Sequence, residues 1–226
     1  MKNDDIEALI ETDLAGANHA LANGWRLMAV THTSSPQVPG QTQTVYVMGK
    51  PMGQAAPALA TGLGLDRMAL EAVVDYLHEH ELKLSTAESC TAGQMVALLA
   101  SVSGAGTCVE SGYVVYSPDA KKRLLGVSEQ TVQRFGLTSV ELAREMAVGA
   151  LQQGPADIAV ATTGVAGPEP MAGVEPGTVC IAWAFSVGDD IRVFSETVRF
   201  SGNRAVVINT ASFYGLVQIP RLHEGL

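Results

Sequence analysis

Cysteine is scarce in this sequence. Its 226 residues contain three, Cys90, Cys108 and Cys180, odd in number and far apart. They form neither a disulfide framework nor a CxxC metal pair, so they read as reduced thiols. Charge is sparse as well, at 16% of residues, and it is unbalanced, with a formal net charge of -9. An acidic chain without a cluster of Lys and Arg repels a phosphodiester backbone, so nucleic acid is not an expected partner. No apolar run approaches the roughly eighteen residues of a membrane span. The opening MKNDDIEALIETD also lacks the basic start and apolar stretch of a secretory leader. The expectation is a cytoplasmic protein with no membrane partner. The histidines are scattered, and His78 and His80, two apart near a helix end, point to different faces of that helix, so no metal site is expected. Neither GxxxxGK[ST] nor a GxGxxG following a strand occurs, which removes the standard nucleotide-cradling loops.

What is present is apolar: 47% hydrophobic residues suffice for a sizeable core. Ile6, Leu9, Ile10, Leu14, Ala17 and Leu21 recur at helical spacing between Asp4 and Asn23, with Gly24 as a stop. Two β-type runs follow, Trp25–Thr33 and Thr42–Met48, separated by SSPQVPGQ. Residues 1–50 therefore read as a small α+β module of one helix and a hairpin. Residues 51–65, rich in Gly, Ala and Pro without periodicity, read as a linker, and residues 66–226 as the main domain.

In that domain Asp66 caps a helix to about His80, and Leu82–Thr86 is a short strand. A helix over Thr91–Val102, a strand over Gly112–Tyr116 and a helix over Pro118–Leu125, capped by Ser117, come next. Thr138 and Glu141 form a capping box for a helix to about Gln153. Ile158–Thr163 is a buried-type strand, and Thr178–Val187 with Ile191–Phe200 forms a hairpin about Gly188-Asp189-Asp190. A final helix spans Asn203 to about Leu216. Interleaved helices and strands predict an α/β fold with three α/β/α layers and a mixed sheet.

Three stretches can carry chemistry. Ser89, in TAESCTAG, lies where a strand passes into a helix, close to amides that the helix leaves unpaired. It is either a nucleophile or simply a cap. Tyr116-Ser117-Pro118-Asp119-Ala120-Lys121 puts a phenol at a strand end and an amine one turn into the next helix. A lysine can deprotonate a serine if burial lowers its pKa. Equally, Lys121, beside Lys122 and Arg123, reads as a solvated surface cation. TTGVAGPEPMAGVEPGT, residues 162–178, is glycine-rich enough for backbone to approach a phosphate or carboxylate, or is a plain loop.

Taken in order, AESCTAG (87–93), the stretch from Gly112 through YSPDAKKRLLGV to Val127, AVATTGVAGP (159–168), PGTV (176–179) and FSGNR (200–204) closely resemble the CinA C-terminal-domain family. The resemblance covers roughly 150 residues. It implies a three-layer α/β/α fold and deamidation of nicotinamide mononucleotide to nicotinate mononucleotide and ammonia, a pyridine-nucleotide recycling step that needs no metal or organic cofactor. It also implies Ser89 as nucleophile with Lys121 and Tyr116 as its partners. Thr91, Ala92, Gly93, Thr163, Gly164, Ala166, Gly167 and Arg204 would line the site of this small-molecule substrate, with the amides near Ala92 and Gly93 receiving the oxyanion. A homo-oligomer is expected on the same ground. The sequence departs from the family at Ala92, at Glu169–Ala172, at Asn203, where the family has aspartate, and at Ile208, where it has arginine. These departures keep two alternatives open: another small amide as substrate, or a catalytically silent binding or assembly protein. Residues 1–50 lie outside the resemblance, where a larger molybdopterin-binding-like domain precedes this unit in full-length members.

Overall fold

Strand-forming runs and short helices alternate along most of the chain. The computed structural model describes residues 6–12, 26–34, 42–51 and 63–226. The chain divides into two units, Met1–Met68 and Ala69–Leu226.

The first unit holds β1 (Ile6–Thr12), β2 (Arg26–Ser34) and β3 (Thr42–Pro51) in an antiparallel sheet ordered β1-β3-β2. The hairpin expected between β2 and β3 is present, with Val30 opposite Tyr46. The expected helix is not what residues 6–12 form, because Leu9 to Thr12 pair with Gly49 to Tyr46 as a strand. A seven-residue segment containing β-branched Ile6, Ile10 and Thr12 suits either period, and pairing with β3 satisfies main-chain groups that a helix would have satisfied internally. The remainder of that expected helix, including Leu14, Ala17 and Leu21, lies outside the described residues.

The second unit is a five-stranded mixed sheet ordered β5-β4-β6-β7-β8, formed by β4 (Leu84–Glu88), β5 (Val109–Val114), β6 (Ile158–Val165), β7 (Thr178–Val187) and β8 (Asp190–Arg199). β4 is parallel to β5 and β6, while β6, β7 and β8 are successively antiparallel. Helices α1 (Leu63–Glu79), α2 (Gln94–Ala100), α3 (Pro118–Leu125), α4 (Glu129–Phe135), α5 (Val140–Gln152), α6 (Arg204–Val217) and α7 (Ile219–His223) complete it. Two-residue alternation along the strands builds two cores. On one face Ile158, Val160, Ile181, Trp183 and Phe185 pack with residues of α1, α2, α6 and α7. Trp183 is fully buried and its indole N–H donates to Gly215 O at 2.7 Å. On the other face Ala159, Ala161, Ala182 and Ala184 meet Ala143, Ala147 and Ala150 of α5. Small side chains let helix and sheet approach closely, and a Cβ at Gly149 would sit 2.0 Å from Leu125 O. The three-layer α/β/α expectation is met.

Element ends differ where local torsions intervene. α2 begins at Gln94 rather than Thr91, because Ala92 and Gly93 are left-handed, at φ 54° and 96°. Ser139, not Thr138, caps α5, its Oγ accepting from Leu142 N at 3.2 Å. α4, capped by Ser128, was not expected from sequence. Asn203 caps α6, its Oδ1 accepting from Val206 N at 3.1 Å, a task that asparagine and aspartate both perform.

Candidate active site

The parallel strands β4, β5 and β6 end side by side, and at that carboxyl edge lies a cleft of about 330 Å³. Clefts of open α/β sheets form there because the chain leaves each strand toward a helix, freeing loops above the sheet. Ser89, Cys90, Tyr116, Lys121, Thr163, Gly164, Ala166, Gly167 and Arg204 all line it.

Ser89 is the first residue after β4, and its amide donates to Thr162 O on the neighbouring strand at 3.0 Å. Behind it is Glu88, 1% exposed, a residue the sequence reading passed over. Its carboxylate accepts from the amides of Gly93 (2.9 Å), Met95 (3.1 Å) and Val96 (3.2 Å), and from Thr86 Oγ1 at 3.3 Å. A buried acid is tolerable here because the left-handed turn at Ala92–Gly93 swings the first amides of α2 onto it. The only sequence signal was an acid at the end of an otherwise neutral strand.

This arrangement corrects one expectation. The amide of Gly93 is taken by Glu88, and that of Ala92 donates to Ser89 O at 3.3 Å, so neither is free for an oxyanion. Thr91, Ala92 and Gly93 do not line the cleft. Thr91 is buried and shares a 2.6 Å hydroxyl contact with Thr162. These three residues shape the turn that carries Ser89. Among the described residues, the amides of Cys90 and Thr91 donate to no other residue's carbonyl.

Lys121 reaches the same point from α3. Ser117 Oγ accepts from Ala120 N at 3.1 Å and Pro118 occupies the first turn, which fixes the start of the helix. Lys121 and Leu125, four apart, then share its buried stripe. The amine, on a side chain 1% exposed, donates to Val115 O (2.8 Å), Tyr116 O (3.1 Å) and Ser89 Oγ (3.0 Å). Burial pushes its pKa down to about 8, opposed weakly by the neighbouring Cys90. The next residue, Lys122, is ion-paired with Glu129 and is pushed the other way, first by that hydrogen bond. A neutral Lys121 keeps two N–H groups, which match the two carbonyls, and a lone pair for the Ser89 hydroxyl. Cys90, also beside the cleft, is pushed up to about 12 by burial and stays a thiol.

Tyr116 contributes its carbonyl to Lys121 and turns its phenol elsewhere. The side chain is 60% exposed, and Arg204 Nη2 donates to the hydroxyl at 3.2 Å. Arg204 Nη1 also donates to Gly167 O at 2.9 Å, joining α6, β5 and the glycine-rich loop at the cleft mouth. Thr163 is buried and donates to Leu137 O at 2.6 Å. Gly164 serves strand packing, since a Cβ there would meet Thr178 O at 2.4 Å. Gly167, at φ 90°, makes the turn that presents its carbonyl to Arg204. Ile208 is half-buried against the larger core. Leu137, Thr138, Glu169, Pro170 and Met171 also line the cleft, the last three within the stretch where the sequence departs from the family. Among the described residues no helix is long and apolar enough to cross a membrane, and no group of His, Cys, Asp and Glu could hold a metal ion.

Comparison with known proteins places this architecture. A nicotinamide-nucleotide amidohydrolase PncC from Escherichia coli is 38% identical over 134 residues, 59% of this chain and 79% of its own length. The CinA-like protein of Chlorobium limicola is 34% identical over 209 residues, 88% of this chain and 49% of its own. That alignment is longer than residues 66–226 can hold, so it also takes in part of residues 1–65. With the Caldicellulosiruptor saccharolyticus putative competence-damage inducible protein, 42% identical, coverage is 66% of this chain and 36% of the relative. The chain thus spans half or less of the length of these two longer relatives. Among solved structures, competence/damage inducible protein CihA from Agrobacterium tumefaciens superposes with a TM-score of 0.66 at 31% identity, over 71% of this chain and 96% of that one. A CinA superfamily protein from Escherichia coli gives 0.65 at 32%, over 70% and 90%. The profile of the CinA C-terminal domain matches residues 66–222, and the chain belongs to that family.

Proposed function

We propose that this chain hydrolyses the carboxamide of nicotinamide mononucleotide to nicotinate mononucleotide and ammonia, with Ser89 as nucleophile and Lys121 as base. The observation that carries the reading is the buried Lys121 amine 3.0 Å from Ser89 Oγ, with a pKa lowered to about 8. Relatives named for this activity, similar over most of their length, support it.

In this mechanism neutral Lys121 takes the Ser89 proton as Oγ bonds to the carboxamide carbon. The oxyanion is received by the amide of Cys90, which lines the cleft and, among the described residues, has no carbonyl acceptor on another residue. Lys121 returns the proton to the departing nitrogen, so ammonia leaves and an ester to Ser89 remains. Water then attacks that ester, Lys121 accepting its proton and passing it to Ser89 Oγ as the carboxylate is released. Val115 O and Tyr116 O hold the transient ammonium. The substrate phosphate falls to Arg204 at the mouth.

A second reading, cleavage of a small amide without a phosphate, is favoured by one feature. Among the described residues Arg204 is the one exposed cation lining the cleft, while Glu169 adds negative charge. Ammonia release from the mononucleotide, its dephosphorylated nucleoside and simple aryl amides separates the readings. Ser89→Ala is expected to abolish release while keeping the wild-type thermal unfolding midpoint. Undiminished ammonia from that variant would end the serine mechanism, and none from any amide with the wild-type protein would favour a binding or assembly role.

A further inference from the structure

The sheet edge at β8 carries a charge pattern that the proposed chemistry leaves unused. β8 ends the five-stranded sheet, so its outer main-chain groups have no strand partner among the described residues. Charged side chains on an edge strand usually guard against pairing. Here their signs are antisymmetric about Phe194. Asp189 and Arg199 lie at equal distances on either side of it, and so do Arg192 and Glu196.

We propose that a second copy of this chain adds to β8, antiparallel, about a two-fold axis at Phe194, continuing the sheet through both protomers. A two-fold perpendicular to a sheet keeps each face on the same side, so it must map one residue onto its own copy. Placing the axis at Phe194, the middle of Asp190–Arg199, uses the full strand. It sets Arg192 opposite Glu196 of the second copy, Asp189 opposite its Arg199, and the reciprocal pairs with them. Shifting the axis to Val193 puts Asp190 opposite Glu196, and shifting it to Ser195 leaves no charge opposite another, with Arg192, Glu196 and Arg199 facing Val198, Phe194 and Ile191. One register alone combines full overlap with opposite charges in direct cross-strand positions, where they are favourable.

The side chains suit that register. Arg192 makes no ion pair or hydrogen bond among the described residues. Tyr214 Oη donates to Glu196 Oε1 at 2.9 Å, which orients the carboxylate and leaves Oε2 for the second copy. Among the described residues the Arg199 side chain is held only by Glu175, 3.6 Å away, both side chains being 65% exposed. On the opposite face a groove of about 340 Å³ between α5 and the end of α3 reaches β8 at Val193, and the second copy would bring Ser195 over Val193.

The test is analytical ultracentrifugation of the full chain across the micromolar range. The wild type is expected to be a dimer, and Arg192→Glu and Glu196→Arg, each alone, are expected to weaken dimerisation by about tenfold or more. The double variant Arg192→Glu with Glu196→Arg restores opposite charges in the same register and is expected to recover wild-type dimerisation. Circular dichroism and ammonia release monitor folding of each variant. A monomeric wild type, or a dimer indifferent to both single reversals, overturns the proposal. Two folded, monomeric single variants whose combination stays monomeric overturn the register.

Discussion

The two walls of the cleft arise from the same strand ends but differ in physical character. In the wall containing Ser89 and Lys121 the serine is half-buried and the lysine buried, and every N–H of the ammonium has an acceptor: two main-chain carbonyls and one hydroxyl. The wall containing Tyr116 and Arg204 is open to solvent and joined by single contacts to Gly167 O and between the two side chains. Burial lowers the pKa of a lysine, and main-chain acceptors cannot rotate away, so the inner wall suits proton transfer at a fixed point. Solvent screens a guanidinium but leaves it able to follow a substrate, so the outer wall suits recognition. Proton transfer and binding should therefore be separable by mutation.

The sharpest break comes from Lys121→Met, which keeps the volume and removes the base. The expected fall in kcat is about 10²- to 10⁴-fold, the range for losing a general base. Lys121→Arg should not rescue it, because a guanidinium stays charged. Only the uncharged amine accepts the Ser89 proton. With a pKa lowered to about 8, wild-type kcat/KM should climb with pH, about tenfold per unit well below that value, and level off above it. A flat profile between pH 6 and about 9 would remove Lys121 from the proton path.

Glu88 extends the inner wall into its support. Glu88→Ala leaves the amides of Gly93, Met95 and Val96 without their carboxylate, at an expected cost of about 3 kcal/mol in chemical-denaturant unfolding. An unchanged midpoint would show that the turn behind Ser89 holds without it. Arg204→Ala should act on the other wall, raising KM for the mononucleotide about 10- to 100-fold with kcat nearly intact. Equal losses in kcat and kcat/KM would place Arg204 in the transition state and merge the two walls.

Much of this division was legible in the residues. A continuous apolar run gave β6, the two runs about Gly188-Asp189-Asp190 gave β7 and β8, and Ser117 with Pro118 gave the start of α3. Sequence left Lys121 open between a base and a surface cation like Lys122, and the structure decides it by putting Lys121 on the buried stripe with Leu125, four residues on. Other features depended on torsions or distant contacts. Thr138 and Ser139 are both able caps, and only the backbone decides between them. The role of Glu88 is invisible until Ala92 and Gly93 turn left-handed and deliver the amides of α2 to it. Ile6–Thr12 suits a helix or a strand until β3 is beside it. Position near the serine could not reveal which end of Tyr116 would face the amine.

That last point yields the smallest expected effect and the finest test of the comparison. Tyr116 meets Lys121 through its carbonyl, which every side chain at that position would retain, and among the described residues its phenol accepts only from Arg204. Tyr116→Phe should therefore loosen the outer wall alone. One hydrogen bond to a charged donor in a solvent-exposed position is lost, so KM should rise by less than about tenfold. The limb of kcat/KM governed by the lysine should stay at the wild-type pH, because nothing around the amine changes. If instead that limb moves, or kcat falls as far as in Lys121→Met, the phenol must swing inward during turnover to relay the proton, and recognition and proton transfer would share one residue.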